Sequence, residues 1–170
     1  MININSIIGN IRNDDKLNAK YHVMTDNRSA EVVRVTRIEA ERIRMRKTSN
    51  KGNDIAIELP QNSRLRNGDV LLSTADRMIV VEIAPERVAV VSLKNMKDNH
   101  LFETAVRIGH TIGNLHRPIR LEDNKIFVPI QADSELDLLR KLFSPIGEHV
   151  EVSSTIIVFE PEEGTNVHEH

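Results

Sequence analysis

Apolar and polar residues alternate along the first half of the chain. Val33 and Val35 form one pair; Ile43 and Met45, set between Arg42, Arg44 and Arg46, form another with one apolar and one cationic face. A period of two marks a half-buried strand. Turn residues separate the runs. Lys51, Gly52 and Asn53 precede Ile55, Ile57 and Leu59; Asn67, Gly68 and Asp69 precede Val70, Leu71 and Leu72; a loop around Asp76 precedes the apolar run 78–83. The pattern predicts a small all-β domain, a sandwich or barrel, over residues 1–84.

Pro85 interrupts the chain, and beyond it the period changes. A strand over 87–93 leads into an amphipathic helix over 96–112, in which Leu101, Ala105, Ile108 and Ile112 recur at helical spacing. Gly113 and Asn114 stop it in the left-handed region, with Pro118 following. Strands over 119–121 and 126–130 flank Asp123 and Asn124, a hairpin turn. Ser134 with Asp137 reads as a capping box opening a helix that carries Leu136, Leu139 and Phe143, closed by Gly147. A last strand over 150–159 completes the order β-α-β-β-α-β, the ferredoxin-like unit. The predicted class is therefore α+β: an all-β domain over 1–84, a ferredoxin-like domain over 85–160, and a flexible polar tail over 161–170.

Composition narrows the function. Aromatics are 3% of the 170 residues, so Ile, Val and Leu must fill the core and a large aromatic-lined ligand cavity is not expected. Basic and acidic side chains nearly balance, 23 against 25, which argues against nucleic acid as a partner. With no cysteine, any transition metal must be held by His, Asp, Glu or backbone groups. The N-terminus has no cationic start or long apolar run, and no segment reaches the roughly 18 apolar residues of a membrane span, so a cytoplasmic protein is expected.

Seven histidines are then the candidate chemistry. His100, Glu103, Arg107 and His110 share one helix stripe that reads as a solvated face, since no His pair has the four-residue spacing that grips one ion. His22 and His149 lack a partner in sequence. His116 differs, because it directly follows a helix stop, where a loop presents its ring outward. One ring holds an ion weakly. A two-fold axis would place two copies face to face, and a tail bearing His168 and His170 would add nitrogens. That His-x-His terminus is ambiguous among a metal hook, an ordinary polar end and, in part, an engineered remnant.

Four segments carry a more specific signal. They are Leu59 and Pro60 with Leu65, Arg66, Asn67, Gly68, Asp69, Val70 and Leu71; Ile83, Ala84, Pro85 and Glu86; Ile112, Gly113, Asn114, Leu115 and His116; and Phe159, Glu160, Pro161, Glu162, Glu163 and Gly164. In this order the chain resembles the urease accessory protein E family, the nickel metallochaperones of urease assembly. The resemblance implies a homodimer built through the second domains, with His116 of each protomer meeting at the interface to bind Ni²⁺. His168 and His170 look like a short form of the family's histidine tail and count as further candidate ligands. By the same resemblance the first domain is a peptide-binding module that would contact other maturation proteins. The implied partners are the urease maturation GTPase and the apo-urease complex. Some members carry histidines just before the second helix, where this chain has Gln131 and Asp133.

The chemistry is coherent with that resemblance. Imidazole suits nickel, but the divalent affinity order leaves Cu²⁺ and Zn²⁺ competitive in vitro. No nucleophile-elbow, phosphate-loop or paired-carboxylate motif is present, so no enzyme is expected. Two other readings compete. One is a non-catalytic scaffold of the maturation complex. The other is an RNA-binding ferredoxin-like module, supported by the basic cluster Arg34, Arg37, Arg42, Arg44, Arg46 and Lys47, although the strands over 87–93 and 119–121 carry no aromatic platform.

Overall fold

Residues 1–94 and 98–161 are described by a computed structural model of the chain. The fold is α+β, and contacts divide it into two units, Met1–Ala84 and the residues from Pro85 onward. In the first unit the elements are β1 (Ile2–Ile4), β2 (Gly9–Asn10), α1 (Asp15–Asp26), β3 (Ala30–Val35), α2 (Arg37–Ala40), β4 (Arg44–Thr48), β5 (Asp54–Glu58), β6 (Asp69–Ser73) and β7 (Met78–Ile83). They form a three-stranded sheet, β1-β5-β4, and a four-stranded sheet, β2-β6-β7-β3.

The all-β expectation for residues 1–84 is incorrect, because α1 covers one face of the larger sheet. Asp14 caps it, its carboxylate accepting from the backbone N–H of Lys16 and Leu17. Leu17, Tyr21 and Met24 then recur at helical spacing and pack on Val70, Met78 and Val80. This cover explains why β7 reads as a continuous apolar run rather than an alternating one: Met78, Ile79, Val80 and Val81 are all buried. A sheet with both faces covered needs no polar face, and a helix as polar as α1 gives little signal of its own.

The segment Arg66, Asn67, Gly68 and Asp69 is a turn held from three directions. Gly68 has φ +90°, and a Cβ there would meet Asn10 Oδ1 at 3.0 Å and Ile11 Cγ1 at 3.1 Å. Buried Asp69 accepts from Asn10 Nδ2 at 2.9 Å and from the Arg66 backbone N–H at 2.7 Å. Asn67 Oδ1 accepts from the Ile83 N–H at 2.9 Å. The motif's work in this unit is to fix the entry of β6 against β2 and β7.

In the second unit the order is β8 (Glu86–Leu93), α3 (Asp98–Gly113), β9 (Arg120–Glu122), β10 (Lys125–Pro129), α4 (Asp133–Phe143) and β11 (Val150–Ile157), with a short 3-10 turn (Ser144–Ile146) before the last strand. The sheet runs β11-β8-β10-β9, every pair antiparallel. Central β8 buries both faces by alternation: Ala89 and Val91 meet Ile108, Ile112, Leu136, Leu139 and Phe143, while Val88 and Val90 meet Phe127 and Phe159. Asp123 and Asn124 turn the β9–β10 hairpin with φ of +48° and +59°, the left-handed pair that a two-residue hairpin demands.

Three helix-end expectations are corrected. The proposed capping box of Ser134 and Asp137 does not form; Ala132 is the N-cap without a side-chain bond, and Glu135 instead reaches back to accept from the Gln131 N–H at 2.8 Å. Gly147 closes the 3-10 turn after α4, not α4 itself. The left-handed residue after α3 is His116, φ +49°, rather than Gly113 or Asn114. The expected start of α3 at residue 96 lies outside the described residues.

Candidate metal centre

Helix α3 positions the site. Its buried face is Thr104, Ile108 and Ile112, four residues apart, rather than the stripe of Leu101, Ala105, Ile108 and Ile112 expected from periodicity. Leu101 is exposed, and small polar Thr104 takes the buried position. After the last turn Leu115 packs on the same core, and the chain reverses at His116. The backbone N–H of His116 donates to Gly113 O at 3.1 Å, and its side chain is exposed. A left-handed backbone costs a non-glycine residue roughly 1–2 kcal/mol, so retaining an imidazole here is strain held at an outward-facing ring.

The next residue pins that loop. Arg117 Nη1 donates to Pro129 O at 2.8 Å and to Glu135 Oε2 at 2.9 Å, while Nη2 donates to Glu135 Oε1 at 2.8 Å. The guanidinium beside it, followed by the Gln131 N–H, holds the Glu135 carboxyl below its ordinary range despite some burial. Six residues before His116, His110 Nε2 lies 3.1 Å from Asn114 Nδ2.

The stripe expected to be a plain solvated face is more differentiated. Glu103 accepts from Arg107 at 2.8 Å, and His100 stacks on His149. Neither imidazole of that stack signals the other in sequence, because they come from α3 and from the residue before β11. Phe102, Val106, Gly109 and Gly113, at spacings of four, three and four, make a separate exposed strip; Phe102 is 79% and Val106 54% accessible, and a Cβ on either glycine would meet nothing within 4 Å.

His116 alone of the three candidate ligands is described; His168 and His170 lie outside the described residues. Among the described residues no three His, Cys, Asp or Glu side chains converge to enclose an ion. A site at His116 therefore needs donors from beyond them. No helix among the described residues is long and apolar enough to cross a membrane.

The cationic cluster of the first unit is largely neutralised. Arg34 pairs with Glu82 at 2.9 Å, Arg44 with Glu58 at 2.6 Å, Arg46 with Asp54 at 2.6 Å and Lys47 with Glu39 at 3.0 Å. On the other unit's sheet, Phe127 lies under the Arg120 guanidinium, 4.9 Å from the ring centre. Such pairing leaves little excess field at that cluster, and Arg120 covers the Phe127 ring on the sheet.

Known proteins resemble this chain over most of its length. Residues 4–84 match the family model described as UreE urease accessory protein, N-terminal domain. A relative from Natronomonas pharaonis, a urease accessory protein UreE, is 30% identical over 155 residues, 91% of this chain and 69% of the relative. Proteins of the same name from Yersinia rohdei and Yersinia intermedia are 31% and 30% identical over 135 residues, 76% of this chain. The matched region spans 58% of the length of each Yersinia relative.

Proposed function

The chain belongs to the UreE family of urease accessory proteins, a family of helpers and not of enzymes, and from that premise we propose that it binds Ni²⁺ as cargo and donates it to apo-urease during metallocentre assembly. The observation that carries the reading is His116: an exposed imidazole held at φ +49°, directly after α3, by a chain anchored through Leu115 and Arg117. A nickel-competent imidazole exposed at a left-handed position, where glycine is the ordinary occupant, supports a presented ligand.

One imidazole is too few for useful affinity, and a second copy of the chain supplies the next. The strip of Phe102, Val106, Gly109 and Gly113 supports a homodimer through α3, since apolar side chains beside glycines let two helices approach closely. His116 of each protomer then shares one ion, with His168 and His170 as further donors. Few and exposed ligands suit a carrier, which must release what it binds. The urease maturation GTPase and the apo-urease complex are the partners in this reading, and the cytoplasm its compartment. Zn²⁺ and Cu²⁺ compete for the same nitrogens in vitro.

The test is calorimetric nickel titration of the native chain and of His116→Ala, with the mass of each measured by light scattering. A tightest site of half an ion per chain, lost in the variant while the dimer persists, is the expected result. Undiminished tight binding in His116→Ala would move the site elsewhere, and absence of binding in both would leave a scaffold without cargo.

A further inference from the structure

A second pair of histidines lies in the same unit. His100, on the early turns of α3, and His149, immediately before β11, stack with ring centres 5.5 Å apart and planes inclined by 22°. They line a cleft of about 190 Å³ shared with Glu103, Thr104, Arg107, Pro145, Ile146 and Glu148. We infer that His100 and His149 form a binding site for a borderline divalent cation, Zn²⁺ or Ni²⁺, separate from His116.

Metal–imidazole bonds of about 2.0–2.1 Å put the centres of two rings that share a tetrahedral ion about 5 Å apart. The pair already stands close to that separation. His149 is held from both sides of its backbone: its N–H donates to Ile146 O at 2.9 Å, and its carbonyl accepts from the Lys94 N–H at 2.9 Å. Lys94 Nζ also donates to Gly147 O at 2.9 Å, fixing the turn that presents the ring. His100 is exposed on its helix and is the member that turns to bring both nitrogens onto one ion.

Charge in the cleft permits a cation. Arg107, the cationic side chain lining it, is spent on Glu103 at 2.8 Å. Glu148 carries an exposed carboxylate with Oε1 at 3.4 Å from His149 Nε2, an anionic donor beside the imidazole pair. As placed, these groups do not enclose an ion. The site is accordingly open: two imidazoles, with water or the Glu148 carboxylate completing the shell, which makes binding weaker and faster to exchange than in a closed four-ligand site.

The inference stands on the stacked pair and not on the His116 reading, so the experiment separates them. Zn²⁺ is titrated into the full chain carrying His116→Ala, His168→Ala and His170→Ala, and into the same chain with His100→Gln or His149→Gln added. One Zn²⁺ per chain in the triple variant, weakened at least about tenfold by either added change, is expected. Equal binding with and without those changes overturns the inference, whatever became of the His116 site. Should His149→Gln disturb the fold, the unsubstituted chain decides: one equivalent of Zn²⁺ beyond that taken by His116 should protect His100 and His149 together from diethylpyrocarbonate. Equal modification of both rings with and without Zn²⁺ would overturn it.

Discussion

Arg117 and Glu135 close a two-point ion pair, Nη1 to Oε2 at 2.9 Å and Nη2 to Oε1 at 2.8 Å, one residue after the exposed imidazole of His116. The same Glu135 Oε2 accepts from the Gln131 N–H at 2.8 Å, so one carboxylate ties the loop after α3 to the entrance of α4. A planar fork meeting a carboxylate fixes orientation as well as distance.

Glu135→Gln should loosen that loop more than it unfolds the unit. Nickel affinity at the His116 site is expected to fall several-fold, with a stability loss of about 1 kcal/mol. Titration and chemical denaturation measured together check it, and unchanged affinity would release Glu135 from any positioning role. The Glu135 carboxyl is held below its ordinary value near 4.5. Its contribution is therefore fully present above that pH and disappears as pH falls through the lowered folded value; in Glu135→Gln this part of the acid sensitivity should vanish.

His116 has the opposite signature. Replacing it with glycine relieves the left-handed strain, so His116→Gly should be at least as resistant to heat as the native chain while losing the tight nickel site. His116→Val, β-branched at the same φ of +49°, should lose about 1–2 kcal/mol. Thermal unfolding of both variants decides, and a glycine variant markedly less stable than the native chain would mean that the ring supports the fold.

The exposed strip of α3 yields a prediction about assembly. Val106→Glu puts a charge beside Phe102 on a face that contributes nothing to the described core, so secondary structure should be unchanged. The mass by light scattering should drop from dimer to monomer, and half-site nickel binding should disappear with it. A dimer of unaltered mass would place the interface elsewhere.

In the first unit, Glu31 is 2% exposed and accepts from Ser49 Oγ at 2.8 Å, Asn53 Nδ2 at 3.1 Å and Arg77 Nε at 2.6 Å. Burial pushes its carboxyl up, but the Ser49, Arg77 and Asn53 bonds outweigh it and leave the group below its ordinary value. Glu31→Ala strands those donors, and a loss of about 2–4 kcal/mol is expected by denaturation at neutral pH. The native advantage should shrink as pH falls below the unfolded value near 4.5. A loss under about 0.5 kcal/mol would mean the partners are rescued by solvent.

Much of the fold was legible one residue at a time. Strong alternation marked β3, β4 and β5, Asp123 and Asn124 announced their hairpin, and Leu136, Leu139 and Phe143 lie buried on α4 as their spacing demands. The order β-α-β-β-α-β and the prominence of His116 were likewise local readings, because periodicity, turn chemistry and a residue's place after a helix are properties of neighbours in sequence.

What escaped sequence depends on what a side chain faces. Helix α1 was hidden because its few apolar residues matter only once Val70, Met78 and Val80 need cover. Thr104 displaced Leu101 from the buried face of α3 because the core admits a column four residues apart, wherever polarity falls. The cations of β4 looked like a basic patch until strand register set Arg44 opposite Glu58 and brought Arg46 to Asp54. His100 and His149 are 49 positions apart, and only packing of α3 beside the approach to β11 made them a pair. Local pattern along the chain carries most of the strands, helices α3 and α4, and the imidazole that follows α3. Tertiary structure decided which faces are covered, which charges are neutralised and which nitrogens meet, because those depend on distances that the chain closes only when it folds.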